Sequence, residues 1–332
     1  MKADFLLAFL SIEVENMWMY LQPANDDVYE LYWYFAYERF MILKRRLAGQ
    51  PAPWTDDPIL QTFKFCNTFR SMDYVSQDLL REIALQPDNP SDDIFRTLLY
   101  RFFSKPETYR HICQKLSRAP RIDDLRSSRI DDILDERKAN GNTLFTNAFI
   151  LASSRSLGVE LKHRMQLEVL RQMFLRDEMD QQLLTLRAME ELCNILQLYP
   201  LIGPFMAYQF AQDVCYLPWV AIDPNTYTIA GPGAIRGIHK IYPGAQKDSF
   251  SKIIIHMYTT QQSEFKRLGY DFYQQTGGMT LSLGDCQGLF CELDKYCRVA
   301  RPDLLSNRKK VKTTFEPSHT ILQIVTPPKE CL

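Results

Sequence analysis

Two carboxylates, a tight turn and a glycine-rich stretch fall within about forty residues of each other, and their types and spacing could grip a phosphate and set an acid beside it. The segment "LQLYPLIGPFMAYQFAQDVCY" (196–216) joins two helical patterns through Gly203 and Pro204, and "AIDPNTYTIAGPGAIRG" (221–237) follows it. A tight turn between helices points backbone N–H groups outward beside a helix N-terminus, whose partial positive charge suits a phosphate. Gly203 is read as permitting an unusual backbone angle, and Pro204 as the first helical residue. Asp223 stands alone twenty positions beyond Gly203, and Asp213 closes an apolar helical run, so both are candidates for an acidic role. In "GPGAIRG", Gly231 and Gly233 would let backbone approach a DNA phosphate while Arg236 grips it. The stretch lacks the GK[ST] of a nucleotide-binding loop. A plain αα-turn and a plain glycine turn are the bland alternatives.

Other polar residues sit where they need an explanation. Glu38 and Arg39 interrupt an aromatic helical pattern, where a charge must be exposed, paired or part of a site. Asn67, Arg70, Asp73 and Gln77 recur at intervals of three, three and four, which predicts one polar stripe on a helix, suited to phosphates or a base edge. Arg121, Arg126, Arg129 and "RKKVK" (308–312) could add phosphate contacts, although such runs are commonly solvated.

The elements that must position these residues read as helices. The chain has 332 residues, 46% of them hydrophobic, with 20 Phe and 17 Tyr against 13 Gly, which indicates a mainly α, aromatic-packed protein of about two domains. A formal net charge of −1 excludes a global basic field, so contact with nucleic acid would be a local patch. The eight cysteines lack metal-site spacing and are read as reduced thiols of a cytoplasmic protein. The amino-terminal run "MKADFLLAFLSIEVENMW" is too short and too acidic for a membrane span or signal peptide. Helices are predicted over 26–48, over "PILQTFKFCNTFRSMDYVSQDLLREIAL" with Thr55 or Asp56 as cap, and over "IFRTLLYRFF", "LLTLRAMEELCNILQL", "KDSFSKIIIHMYTTQQSEFKRLG" and "LGDCQGLFCELDKYCRVA". "NTLFTNAFILAS" is read as a short hairpin or a buried segment, and the Pro-rich tail from 306 as loose.

Two resemblances follow. The layout "YPLIG…AIDPNT" resembles the helix-hairpin-helix DNA glycosylases, in which an essential Asp follows the hairpin by about twenty residues. Leu201 stands where their first hairpin glycine belongs, and Phe205 where bifunctional members carry a lysine. The segments "WYFAYERFMILKRRLAGQPAPWTDDPILQTFKFCNTFRSMDYVSQDLL", "MAYQFAQDVCY", "AGPGAIRGIHKIY" and "CELDKYCR" together resemble the α-glutamyl/putrescinyl thymine pyrophosphorylases and the helical domain of 5-hydroxymethyldeoxyuridine DNA kinases. Antiphage glycosylases acting on glucosylated 5-hydroxymethyl pyrimidines occur among the related chains.

These resemblances imply a helix-hairpin-helix glycosylase-like architecture with an N-terminal helical region at 1–158, a hairpin and glycine-loop region at 159–305, a tail at 306–332 and a cleft between the two helical regions. They imply DNA as partner, a flipped modified pyrimidine, Asp223 or Asp213 as the acid, and Tyr208 and Gln209 beside the substrate; the missing metal motif and missing nucleotide-binding loop make a cofactor-free enzyme the expectation. The leading expectation is a monofunctional N-glycosylase hydrolysing the bond to a 5-hydroxymethyl-derived pyrimidine. The first alternative is a transferase that replaces pyrophosphate on 5-hydroxymethyluracil in DNA with an amine, glutamate or putrescine. A non-catalytic reader of modified DNA is the second, and kinase chemistry is set last for want of a nucleotide-binding loop.

Overall fold

Prolines and small polar residues at helix starts set most of the element boundaries. The computed structural model describes residues 23, 25–146, 160–304, 307–308, 310–311, 313–316 and 323–328; the amino-terminal apolar run and most of "NTLFTNAFILAS" lie outside them. The helices, in order, are α1 (Asp26–Leu47), α2 (Pro58–Thr62), α3 (Tyr74–Leu79), α4 (Pro90–Phe103), α5 (Pro106–Leu116), α6 (Arg129–Ala139) and α7 (Lys162–Arg171). They continue with α8 (Met179–Thr185), α9 (Met189–Gln197), α10 (Pro204–Val214), α11 (Pro232–Ile241), α12 (Phe250–Arg267), α13 (Phe272–Gln275) and α14 (Leu283–Ala300). Two π-helical turns extend α3 over Leu80–Ala84 and α7 over Gln172–Arg176. The mainly α expectation holds, and among the described residues the one extended pairing is an isolated bridge between Phe63 and Thr314. None of the described helices is long and apolar enough to cross a membrane.

Several predicted helices are divided. The long helix expected from Pro58 onward stops at Thr62, and residues 63–69 run without helix before a short 3-10 turn at Arg70–Met72. Its cap is Asp57, not Thr55 or Asp56: the Asp57 carboxylate accepts from Ile59 N at 2.8 Å and Leu60 N at 3.1 Å. "LLTLRAMEELCNILQL" is cut at 186–188, between α8 and α9. By contrast, "LGDCQGLFCELDKYCRVA" is α14 residue for residue, with Ser282 and Asp285 forming a capping box.

The described residues form two compact units, one drawn from 1–70 and 228–323 and the other from 71–227 and 324–331. In the first, α1 buries Val28, Tyr32, Trp33, Phe35 and Ala36. Tyr32 packs on Phe290 at 4.8 Å between ring centroids, and Trp33 meets Phe265 edge-on at 5.0 Å. Each fully buried aromatic ring contributes on the order of 2–3 kcal/mol. Helices α11 and α14 approach closely because two glycines face α14. A Cβ on Gly237 would lie 2.0 Å from the Phe290 carbonyl oxygen, and one on Gly233 2.2 Å from Cys291 Sγ.

In the second unit α4 is the central helix, buried continuously from Asp93 to Phe103. A helix covered on all sides must pair its charges internally. Arg96 does so with Asp93 at 2.8 Å and the Pro120 carbonyl at 2.8 Å. Phe102 stacks on Phe210 of α10 at 5.3 Å.

The tail expected to be loose is partly fastened. Within the first unit, Lys64 N donates to Thr313 O at 3.0 Å and Phe315 N to Thr62 O at 2.8 Å. Phe315 also meets the Trp54 ring edge-on at 6.2 Å, with the Arg46 guanidinium above both rings.

Candidate functional site

In the first unit, the site is built on the faces of α11 and α14 that the two glycines bring together. Asp294 is fully buried and accepts from Arg236 Nε at 2.9 Å and Arg298 Nη2 at 2.5 Å. Lys240, one turn beyond Arg236, places Nζ 3.7 Å from the other carboxylate oxygen. Three cations therefore converge on one carboxylate, far more than a structural ion pair needs. Next to them Arg301 bonds Asp27 and Asp303, so the wider group counts four cations against three carboxylates. Arg298 Nη1 reaches the Lys310 carbonyl at 3.2 Å, which brings the basic tail segment to the same place. Arg298 Nε is buried and bonds nothing among the described residues. Arg236 remains one-fifth exposed, so an anion can approach through it. The "GPGAIRG" glycines thus do not form a loop: Gly231 caps α11, Gly233 serves packing, and Arg236 lies on the helix.

Carboxylates along α14 also hold the irregular segment 63–69 and the start of the 3-10 turn at Arg70. Cys66 N donates to Glu292 Oε2 at 2.9 Å and Arg70 N to Asp285 Oδ1 at 2.6 Å, while Thr68 Oγ1 donates to Ala36 O at 2.8 Å. Burial raises the Asp285 pKa, and the Arg70 and Ser282 amides oppose the rise. Lys295 pairs with Glu292 at 2.7 Å and sits 5.1 Å from the Phe65 ring centroid. Tyr34 and Tyr296 both donate to Asp57 Oδ2, at 3.0 and 2.5 Å. Burial first, and the Asp57 carboxylate second, push both phenols upward in pKa. These bonds tie "FKFCNTFR" to α14 and, through Ala36, to α1. Glu38 pairs with Arg45 at 2.7 Å, and Arg39 is buried on α1.

The four-residue stripe is not helical. Asn67 lies in the irregular segment, Arg70 starts a 3-10 turn, Asp73 precedes α3, and only Gln77 is on the helix. Asn67 and Arg70 belong to the first unit, Asp73 and Gln77 to the second.

The second unit contains a turn between α9 and α10 at the expected place. Its unusual backbone angle is at Leu201, with φ +70°, and not at Gly203, whose φ is −81°. Gly203 and Pro204 are exposed, and nothing lies within 4 Å of a Cβ placed on Gly203. Along α10, Tyr208 and Gln209 are buried, Tyr208 meeting Tyr227 edge-on at 6.4 Å. Asp213 is fully buried and held by Arg101 through one edge of its guanidinium, Nη2 at 3.2 Å from Oδ1 and Nε on Oδ2. Asp223 is exposed, and its carboxylate accepts from Asn225 N at 2.8 Å as the cap of a 3-10 turn. The two acids therefore differ in kind, one locked in the core and one on the surface. Sequence reasoning missed Arg101, Lys240 and Asp294; the signal for the first was an arginine inside the apolar run "LLYRFF".

Comparison with known proteins decides between the readings. A family described as "5-hmdU DNA kinase, helical domain" matches residues 26–306. The chain belongs to that family. It is 24% identical over 310 residues to a "5-hmdU DNA kinase" of Bacillus phage SP10, covering 87% of this chain and 48% of that protein. The chain thus spans about half the length of this curated relative. No solved structure matches it. The N-glycosylase expectation, with its hydrolytic role for Asp223 or Asp213, is overturned: the family and the relative are those of a DNA kinase, a group-transferring enzyme.

Proposed function

We propose that this chain is the DNA-handling part of a group-transfer enzyme acting on the 5-hydroxymethyl arm of a pyrimidine in DNA. The observation that carries the reading is the convergence of Arg236, Lys240 and Arg298 on one buried carboxylate in a chain of this family. Such a surplus suits the oxygens of a phosphoryl or pyrophosphoryl group on that arm. The transfer we favour is displacement of pyrophosphate by an amine. The amine nitrogen forms a bond to the methylene carbon, the carbon–oxygen bond breaks, pyrophosphate departs, and the amine proton passes to solvent. The exposed amino end of α10 at Gly203–Pro204 is assigned to a DNA phosphate, with α9 and α10 serving as a helix-hairpin-helix element. A flipped base is part of this reading.

A second reading, phosphoryl transfer to the hydroxymethyl oxygen, is favoured by the relative's name. One experiment separates them. Oligonucleotides carrying 5-hydroxymethyluracil or its pyrophosphorylated form are incubated with protein and with an amine or ATP, then digested to nucleosides and weighed. An amine adduct with release of pyrophosphate supports the first reading, and a phosphate gain confined to the ATP arm supports the second. Unchanged nucleosides in every arm would overturn group transfer by this chain.

A further inference from the structure

Gln77 offers a hydrogen-bonding pair that the mechanism above does not use. Gln77 is 3% exposed, and its carboxamide is oriented by its own unit: Nε2 donates to Ser71 O at 2.7 Å, and Oε1 accepts from Arg81 Nη2 at 3.1 Å. That leaves one donor and one acceptor, aimed the same way. Both are taken by a single residue of the carboxyl-terminal segment, since Gln77 Nε2 donates to Val325 O at 2.8 Å and Val325 N donates to Gln77 Oε1 at 2.8 Å. Val325 presents an N–H beside a carbonyl, the pattern shown by the imide edge of a uracil-type base. One turn before Gln77, Tyr74 is 65% exposed, an aromatic face with no core to fill. A π-helical turn follows at Leu80–Ala84, a local irregularity that is frequent at functional sites.

We propose that Gln77 reads the imide edge of a pyrimidine stacked near Tyr74, and that Val325 occupies this site in cis until nucleic acid displaces it. The inference rests on the reading of the chain as a handler of pyrimidine-modified DNA and supplies its base-edge contact. The segment 324–328 is half-buried to exposed, so little packing opposes its release.

Val325→Pro in the full chain removes the competing N–H without touching Gln77. Binding is read by fluorescence anisotropy with an oligonucleotide carrying one 5-hydroxymethyluracil, and with its N3-methyl analogue, which lacks the imide N–H. The variant should bind the first about tenfold tighter and the second no tighter, a released hydrogen bond being worth roughly that factor. Adding Gln77→Glu, which loses the donor, should cancel the gain. In the intact chain, hydrogen exchange at the Val325 amide should quicken when the oligonucleotide is added, a readout that requires no variant to fold. Equal affinities with unchanged Val325 exchange overturn the inference, even if group transfer is observed. Tightening that needs the imide, without any transfer product, leaves the base reader standing and removes the transferase reading.

Discussion

The helices α10 and α11 begin with the same local signal, a glycine cap followed by proline, Gly203–Pro204 in one and Gly231–Pro232 in the other. Beyond that start they differ in every respect that bears on function. Helix α10 closes its one buried acid, Asp213, with one arginine and leaves its glycine at the surface. Helix α11 spends two glycines on contact with α14 and brings cations in excess to Asp294. A matched pair stabilises a core, whereas several cations gathered around one carboxylate set up a local positive field that an anion can approach. The local signal announces a helix start; the neighbour decides its use.

The largest expected effect breaks the closed pair. Asp213→Ala removes the buried carboxylate to which Arg101 donates through Nε and Nη2, at a cost of about 3–5 kcal/mol, and should show as a large loss of Tm or of soluble protein. Asp223→Ala removes only an exposed cap and should cost about 1 kcal/mol or less in the same melt. Comparable losses would show that the two acids are not different in kind.

Next come the glycines. Gly237→Ala drives a methyl into the Phe290 carbonyl and should destabilise by about 3 kcal/mol, while Gly203→Ala, with open space around it, should change stability by less than about 1 kcal/mol. Denaturant midpoints of the two variants test this contrast directly.

Acid should affect the unit of α11 and α14 through His256, whose burial lowers its pKa to about 4. The unfolded chain, with an ordinary histidine, binds the extra proton first, so stability should fall as pH drops from about 6.5 to 4. The loss is on the order of 3 kcal/mol, and His256→Phe should flatten that part of the Tm–pH curve. An unchanged curve would remove His256 as the cause.

Smaller still, Arg236→Met should cost less stability than Asp213→Ala, because Lys240 and Arg298 still face Asp294, and should lower the salt slope of DNA binding by about one. A slope that does not move would make the Asp294 cluster purely structural.

Much of the helical content could be read from local chemistry. Asp26 and Asp27 at the start of α1 and Lys44 to Arg46 at its end match the helix dipole, and α14 carries its capping box in plain view. The break after Thr62 could not be read, because periodicity continues through residues 63–70 although their amides are bonded to Asp285 and Glu292, more than two hundred positions away. In the sequence Leu201 reads only as a missing glycine, yet it adopts the left-handed conformation a glycine would serve. The fastened tail was equally hidden, since its partners, Thr62, Lys64 and Gln77, lie at the other end of the chain.

The sequence by itself determined a mainly helical chain, its caps, the hairpin turn and the motifs that mark its family, because these depend on dihedral preference, dipole and residue order over a few turns. Only the tertiary structure decided that Asp213 is locked by Arg101, that Asp294 gathers three cations, and that the glycines of α11 serve packing. Those outcomes depend on which side chains meet across long separations, where burial sets the cost of each charge and a missing Cβ sets the distance between helices.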